Sequence, residues 1–428
     1  FIGFGQNVNI PDANFKAYLV GNTAINTNAD TEIQVSEANT FNGTINCYNL
    51  SISNLTGIEA FTALTNLLCH ANQLTDIDVS QNTALTHLDC NSNQLTNLDV
   101  SGATALTELS CWNSQLTSLD VSNNTALTYL GCSNNFLTSL DVSGATALTE
   151  LSCWNSQLTS LDVSNNTALT YLGCSNNFLT SLDLSNNTAL TNLYCGSNQL
   201  TILDVSNTTL FELGCTFNQL TSLDLSNNTD LITLYSNDNQ LTSLNVSINT
   251  ALTYLACYNN QLTSLDLSQT TALSILDCYD NQLTSLDLSQ TTALSILDCY
   301  DNQLTSLDVS NNTALTHLYC YDNQLTSLDL RNGNNFNNGF NTINNTNLYC
   351  IDVDDAAWST ANWTVTNGDI DQQHYFSNNC PPSSIQEHTT NKELLKGTDL
   401  LGRETKQTNQ PLFYIYDDGT VEKRIVIE

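Results

Sequence analysis

Twelve of the fifteen cysteines fall at positions 69, 90, 111, 132, 153, 174, 195, 215, 257, 278, 299 and 320. The step is 21 residues, with one step of 20 and one place where Ser236 stands instead. Such a row could ligate metal, form disulfides or carry redox chemistry. Its phase argues for packing. In "YLGC", alternation puts Leu130 and Cys132 on one side of a strand and Tyr129 and Gly131 on the other. An inward cysteine behaves as a small hydrophobe. In parallel, in-register neighbours the Cβ vectors run side by side, which is poor geometry for a bridge. A second row, from Asp78 to Asp329 and broken by Asn245, faces outward in "SLDV". Like charges side by side in a sheet destabilise it, although salt screens them over about 8 Å. The row reads as a solvated stripe or as a diffuse cation-binding surface. The histidines at 70, 87, 317, 374 and 388 are scattered and share no motif with a nucleophile. No catalytic constellation emerges, so an enzyme is not expected.

These rows need a scaffold that repeats every 21 residues. One unit is Leu127-x-x-Leu130-x-Cys132-x-x-Asn135-x-Leu137-x-x-Leu140-x-Val142, and thirteen such units run from Leu64 to Leu330, with a looser one around Cys47. Residues 101–142 recur at 143–184 with Val142 becoming Leu184 as the one change. The pattern resembles the leucine-rich repeat, and within it a short bacterial subclass of the form LxxLxCxxNxLxxLDL. Twenty-one residues are too few for two strands and a long helix. The expected fold is therefore a β-rich leucine-rich-repeat solenoid with two short parallel strands per coil, few helices and a small β C-terminal tail. One unit cannot bury its own leucines; stacking makes a continuous core. At roughly 4.8 Å per coil, thirteen coils extend on the order of 60 Å. The asparagine three residues after most ladder cysteines, as at Asn135, with Ser114 and Ser156 filling the gaps in the row, is expected to bond the backbone of adjacent turns.

The ends differ from the body. The formal net charge is −34 with only 12% charged residues, and no Lys or Arg occurs between Lys16 and Arg331. That excludes nucleic acid as a partner of the body and disfavours an anionic membrane surface. No apolar run is long enough to span a bilayer. "FIGFGQ" reads as the tail of a signal-peptide apolar region over residues 1–5, or as an arbitrary start. Residues 6–45 form an N-terminal cap. Within it, "NTNADTEIQVSE" (26–37) is similar to an EF-hand calcium loop. Asn26, Asn28 and Asp30 stand at its first, third and fifth positions, Glu32 at the carbonyl position and Glu37 at the twelfth. Asn26 replaces the usual Asp and Thr31 the turn glycine, and a polar cap without metal is the alternative. The preceding "PDANFKAYLV" reads as a helix with Phe15 and Leu19 on one face.

The solenoid occupies 46–330 and a C-terminal cap 331–380, where Trp358, Trp363 and Phe376 can cover the last coil. Cys350 and Cys380 stand outside the ladder and are expected to form one disulfide. Residues 381–428 resemble the sorting domain of type IX secretion substrates, through Asp399-Leu400-Leu401-Gly402-Arg403 and "PLFYIYDDGTVEKRIVIE". "LFYIY" and "VEKRIVIE" read as strands joined by a turn at Asp417–Thr420. The resemblance implies export by that machinery to the exterior or outer surface of a Gram-negative cell.

The expected function is recognition of a protein or glycan at that surface. A structural rod without a specific ligand is the alternative, and an ice- or mineral-binding surface a minor one. Between coils the outward positions beside the cysteine strand vary while the core does not. Trp112, Tyr129, Trp154, Tyr171, Tyr258, Tyr279, Tyr300 and Tyr321 are the candidate ligand-binding residues, because exposed aromatics suit sugar stacking or protein hot spots. The bland reading is that these rings only cover neighbouring rungs.

Overall fold

A computed structural model describes residues 6–334 and 339–381, together with the backbone of strands Leu394–Thr398, Pro411–Tyr416 and Val421–Ile425. The chain divides into two compact units, Phe1–Cys380 and Pro381–Glu428.

The first unit is a parallel β-solenoid of about 16 turns. Its main sheet has 15 strands, mostly of three residues, stacked in parallel in chain order. The register is strict: Leu130 lies beside Leu109 and Leu151, and Leu276 beside Leu255 and Leu297. The central leucine of each strand and the cysteine after it are fully buried, as at Leu130, Cys132, Leu276 and Cys278. Burying a leucine side chain is worth roughly 1.5–3 kcal/mol before entropy is charged, so the core sums over coils. The thirteen free cysteines, Cys47 included, are all buried. Burial pushes thiols such as Cys174, Cys215 and Cys257 up to about 12. A thiol held protonated is neither nucleophile nor metal ligand.

The coil turns where two asparagine rows satisfy the backbone. Asn135 Nδ2 donates to the Cys132 carbonyl of its own coil and the Cys111 carbonyl of the preceding one, at 2.9 and 3.0 Å. Its Oδ1 accepts from Leu116 N–H at 3.0 Å. The second row, unremarked in the sequence, includes Asn166, which donates to the carbonyls of Val142 and Ala145 at 3.0 and 2.8 Å. The residue just before the first row is left-handed in coil after coil, with φ near 50° at Ser92, Asn134, Asn176, Asp238 and Asp301.

The opposite edge is less regular. Strand pairing there joins Ser118–Asp120 with Ser139–Asp141, and Ser306–Asp308 with Ser327–Asp329, Cys350–Asp352 and Tyr375–Ser377 in turn. The aspartates of this edge close turns: Asp99 Oδ1 accepts from Ser101 N–H, and Asp141 Oδ1 from Ser143 N–H, both at 2.9 Å.

At the front, helix Ala13–Gly21 buries Phe15 and Leu19, and Asp12 caps it by accepting from Asn14 and Phe15 N–H. A short helix, Val35–Thr40, follows. At the far end Trp363 is buried against Phe340, Trp358 and Phe376, with ring centroids 4.3, 5.4 and 5.5 Å away. Helix Ala356–Asn362 completes this cap, and Cys350 and Cys380 are joined by a disulfide.

The second unit contains an antiparallel sheet of Leu394–Thr398, Pro411–Tyr416 and Val421–Ile425. The 1–5 segment, Asp399–Arg403 and the turn at 417–420 lie outside the described residues.

Candidate functional site

A three-residue strand with its centre buried presents residues on either side of that centre to solvent, and the residue after the cysteine adds a third column. The 15-strand sheet therefore carries three outward columns on a constant core. The first contains Tyr129, Tyr171, Tyr254, Ile275 and Ile296. The middle one contains Tyr194, Tyr235, Asp277, Asp298 and Tyr319. The third contains Trp112, Trp154 and the tyrosines at 258, 279, 300 and 321.

The structure brings four of the expected residues together. Tyr258, Tyr279, Tyr300 and Tyr321 stack face to face, with centroids 4.2, 4.3 and 4.3 Å apart and planes within 9–11°. Each pair is worth about 0.5–1.5 kcal/mol beyond area burial. Inner rings spend both faces on each other, so they offer a partner their edges; open faces remain at the ends of the stack. The other four are spread out. Tyr129 and Tyr171 are separated by Glu150 on the strand between them. Trp112 and Trp154, 38% and 40% exposed, stand two coils apart with Ser133 between.

The middle column adds residues not singled out in the sequence. Tyr171 leans on Tyr194 at 5.8 Å, and Tyr235 on Tyr254 at 5.0 Å. Tyr254 donates its hydroxyl to Asp277 Oδ2 at 2.8 Å. Asp277 and Asp298 are neighbours across adjacent strands. Burial raises both carboxyls, and the Asp277 charge adds to the effect on Asp298, which reaches about 6. A cavity of about 440 Å³ opens beside Asp298, lined by Tyr300, Tyr319, Tyr321, Asp322, Asn341 and Ile343.

The front loop is organised by its own donors. Glu37 Oε1 accepts from Thr27 N–H and hydroxyl and from Asn28 N–H at 2.8, 2.9 and 3.2 Å, and Oε2 accepts from Gln34 N–H at 3.0 Å. Burial alone would raise Glu37; these bonds outweigh it and hold the carboxyl below its ordinary value. Asp30 accepts from Glu32 N–H and from the Asn28 and Gln34 amides. Asn26 is buried, and its amide oxygen has no hydrogen-bond partner. Among the described residues no group of three or more His, Cys, Asp or Glu is arranged to hold a metal.

Set against solved structures, the chain is 32% identical to the functional domain of InlJ from Listeria monocytogenes, described as including a cysteine ladder. The alignment covers 98% of each chain with a TM-score of 0.66. The chain belongs to the internalin-like leucine-rich repeat proteins. Two further likenesses show the fold alone: an L. monocytogenes internalin (inlF; 23% identity, 83% of this chain and 99% of that one, TM-score 0.60) and a leucine-rich repeat protein of Leptospira interrogans (24%, 70% and 80%, TM-score 0.59). Residues 28–135 match the family of the endo-beta-N-acetylglucosaminidase EndoS leucine-rich repeat domain, and 192–219 the LVIVD repeat. Internalin J of L. monocytogenes is 50% identical over 38 residues; that stretch is 9% of this chain and spans 4% of the relative's length. As in the InlJ domain, the cysteines of this internalin-like chain form a ladder. Among the described residues no helix is long and apolar enough to cross a membrane.

Proposed function

We propose that this chain is an exported surface protein that recognises a protein partner, with a glycan as the second ligand class, through the solvent face of its 15-strand sheet. The observation that carries the reading is a contrast within each coil. The buried leucine and cysteine scarcely change, while the three outward columns change freely and concentrate Tyr, Trp and Asp. Packing constrains the former; surface chemistry is free to diverge. Internalin-like relatives are surface or secreted proteins, which supports a binding or adhesion role and export. Leucine-rich-repeat solenoids are typically binding scaffolds rather than enzymes.

The test is a screen of the protein against surface proteins and glycans, followed by a variant with Tyr279, Tyr300 and Tyr321 all changed to Ala. Loss of the captured partner in a variant that still unfolds cooperatively, with its melting temperature lowered only by the lost ring stacking, supports the face. Undiminished binding, lost instead when the aspartate stripe is changed, moves the site to the other edge.

Two narrower roles belong to the same reading. The tail, 381–428, acts as a type IX sorting address on a Gram-negative cell, after a signal peptide that ends in residues 1–5. A chain without 384–428 that still reached the surface of a type IX-competent host would refute it. The loop 26–37 takes calcium weakly through Asn26, Asn28, Asp30, the Glu32 carbonyl and Glu37. The unpartnered Asn26 oxygen supports this; the donors already on Glu37 and Asp30 would have to turn away. A calcium-dependent rise in melting temperature, abolished by Asp30→Ala with Glu37→Ala, is the expected result.

A further inference from the structure

Residues 263–283 and 284–304 are identical in sequence, yet their two middle-column aspartates meet different surroundings. Asp277 receives the Tyr254 hydroxyl at 2.8 Å, from a residue 23 positions earlier. The residue 23 positions before Asp298 is Ile275, which has no donor to offer. Asp298 Oδ1 is accordingly buried with no hydrogen-bond partner. A carboxylate oxygen in that state carries a desolvation cost unless something brings it a donor.

The surroundings say what that donor would be. Beside Asp298 is the cavity of about 440 Å³, walled by Tyr319 of the middle column, by Tyr300 and Tyr321 at the end of the tyrosine stack, and by Asp322. Asp322 Oδ1 accepts from the Asn344 amide at 2.8 Å and brings a second negative charge to the wall. Asp277 lies next to Asp298 in the sheet. No residue from 17 to 330 is Lys or Arg. Arg331 makes its ion pairs with Asp329 and Asp352 on the opposite edge. The carboxylates on this face thus have no Lys or Arg of their own repeats to neutralise them, and the histidine pairs, His70 with Asp89 and His87 with Glu108, lie in the first coils, far along the sheet from Asp298. An aromatic wall with an unpartnered carboxylate favours a cation that also donates hydrogen bonds. A neutral sugar could donate a hydroxyl but would leave the charge in place.

The geometry points to a subsite at Asp298 that takes a basic side chain, arginine or lysine, of a protein partner. It rests on the proposed binding face and names the chemistry of one anchor in it. The side chain enters along the open end of the tyrosine stack, and its head donates to Asp298 Oδ1 within reach of Asp322. The first copy of the cassette, at Asp277, is closed by Tyr254, whereas the second, at Asp298, is not, so duplication has produced one occupied and one open carboxylate.

The experiment uses phage-displayed random peptides selected on the full chain, with Asp298→Asn, Ile275→Tyr and Trp112→Ala/Trp154→Ala variants as comparisons. The subsite predicts that recovered peptides share an Arg or Lys whose replacement by Gln weakens binding about tenfold or more. It predicts a similar loss on Asp298→Asn, and on Ile275→Tyr, which supplies the hydroxyl that Tyr254 gives Asp277. Asp183→Asn, on the other edge, controls for general attraction to an acidic protein and should change little. Peptides without a basic residue overturn the subsite. So does binding that Asp298→Asn leaves intact, or binding lost only in the tryptophan variant, although the binding face then survives. Capture of neutral glycans or of calcium at Asp298 in place of basic peptides also overturns it. If neither peptide nor glycan is captured anywhere on the sheet, the binding-face reading fails with it.

Discussion

Two kinds of aspartate in this chain respond oppositely to protons. Asp99, Asp141, Asp162 and Asp204 take the hydroxyl and the N–H of the serine two residues on, which holds them below the ordinary value of 3.8. They contribute stability above that value and lose it as pH falls, consistent with closing turns rather than merely lining a charged stripe. Asp298 is the reverse. Burial and the Asp277 charge raise it to about 6, so between 3.8 and about 6 the folded chain holds a proton that the unfolded chain has released. Stability therefore falls as pH rises through that window, and the full cost remains above it. Asp298→Asn is expected to melt higher than the parent near neutral pH, with the gap closing below 3.8. Paired melts across pH check this, because the other ionisable side chains nearby, Asp277, Asp301, Asp322 and His317, are common to both proteins. A variant that is less stable near neutral pH would mean that Asp298 is already satisfied. Keeping a carboxylate at such a cost is the pattern expected of a site that awaits a partner rather than of packing.

The coil shows what is visible from one sequence and what is not. Leucines and cysteines at a 21-residue period reveal the strand, its inward phase and its parallel stacking, because burial on one side of a strand leaves a period-two trace. The row of Asn135 was legible as a backbone partner for the same reason. The row of Asn166 was not, since "SNNT" looks like ordinary turn chemistry until its amide is found bonding the previous coil. The left-handed residue two after each cysteine left a signal in its bias to Asn, Asp and Ser, which tolerate that conformation. The geometry of the proposed binding face was half legible. The columns flanking the strand could be aligned, whereas the isolation of Asp298 depends on which side chain the previous coil supplies. Phe217 breaks the turn rule: it is 57% exposed at φ 50°, where its neighbours in the stack use small polar residues. Phe217→Asn is expected to stabilise the solenoid by about 1 kcal/mol by relieving the left-handed penalty, measured as a shift in the urea midpoint with unchanged slope. A loss of stability instead would show that the exposed ring packs usefully on its neighbours.

At the scale of the whole molecule, the near-perfect copy at 143–184 is two coils long. Insertions of whole coils preserve the phase of every column, so growth by duplication lengthens the face without disturbing the core. Nearest-neighbour stacking makes stability approximately a sum over coils and their interfaces. Excising 143–184 should then be silent for the fold. The coil ending at Val142 meets the coil after Leu184 through a surface that differs only in that one residue. The shortened protein should melt cooperatively, with an unfolding enthalpy lower by about 30 kcal/mol at roughly 0.7 kcal/mol per residue. Its face loses Glu150, Trp154 and Tyr171 but retains Glu108, Trp112 and Tyr129, one copy in place of two. Binding to a partner that engages both copies should weaken sharply through lost effective concentration, while capture of basic peptides at Asp298 stays unchanged. Calorimetry and the peptide assay on the same preparation decide it. A chain that unfolds on excision would show that its coils are coupled beyond their neighbours. Unchanged affinity for the natural partner would show that the duplicated tryptophans lie outside the footprint, leaving the tyrosine stack and Asp298 as the part of the face that binds.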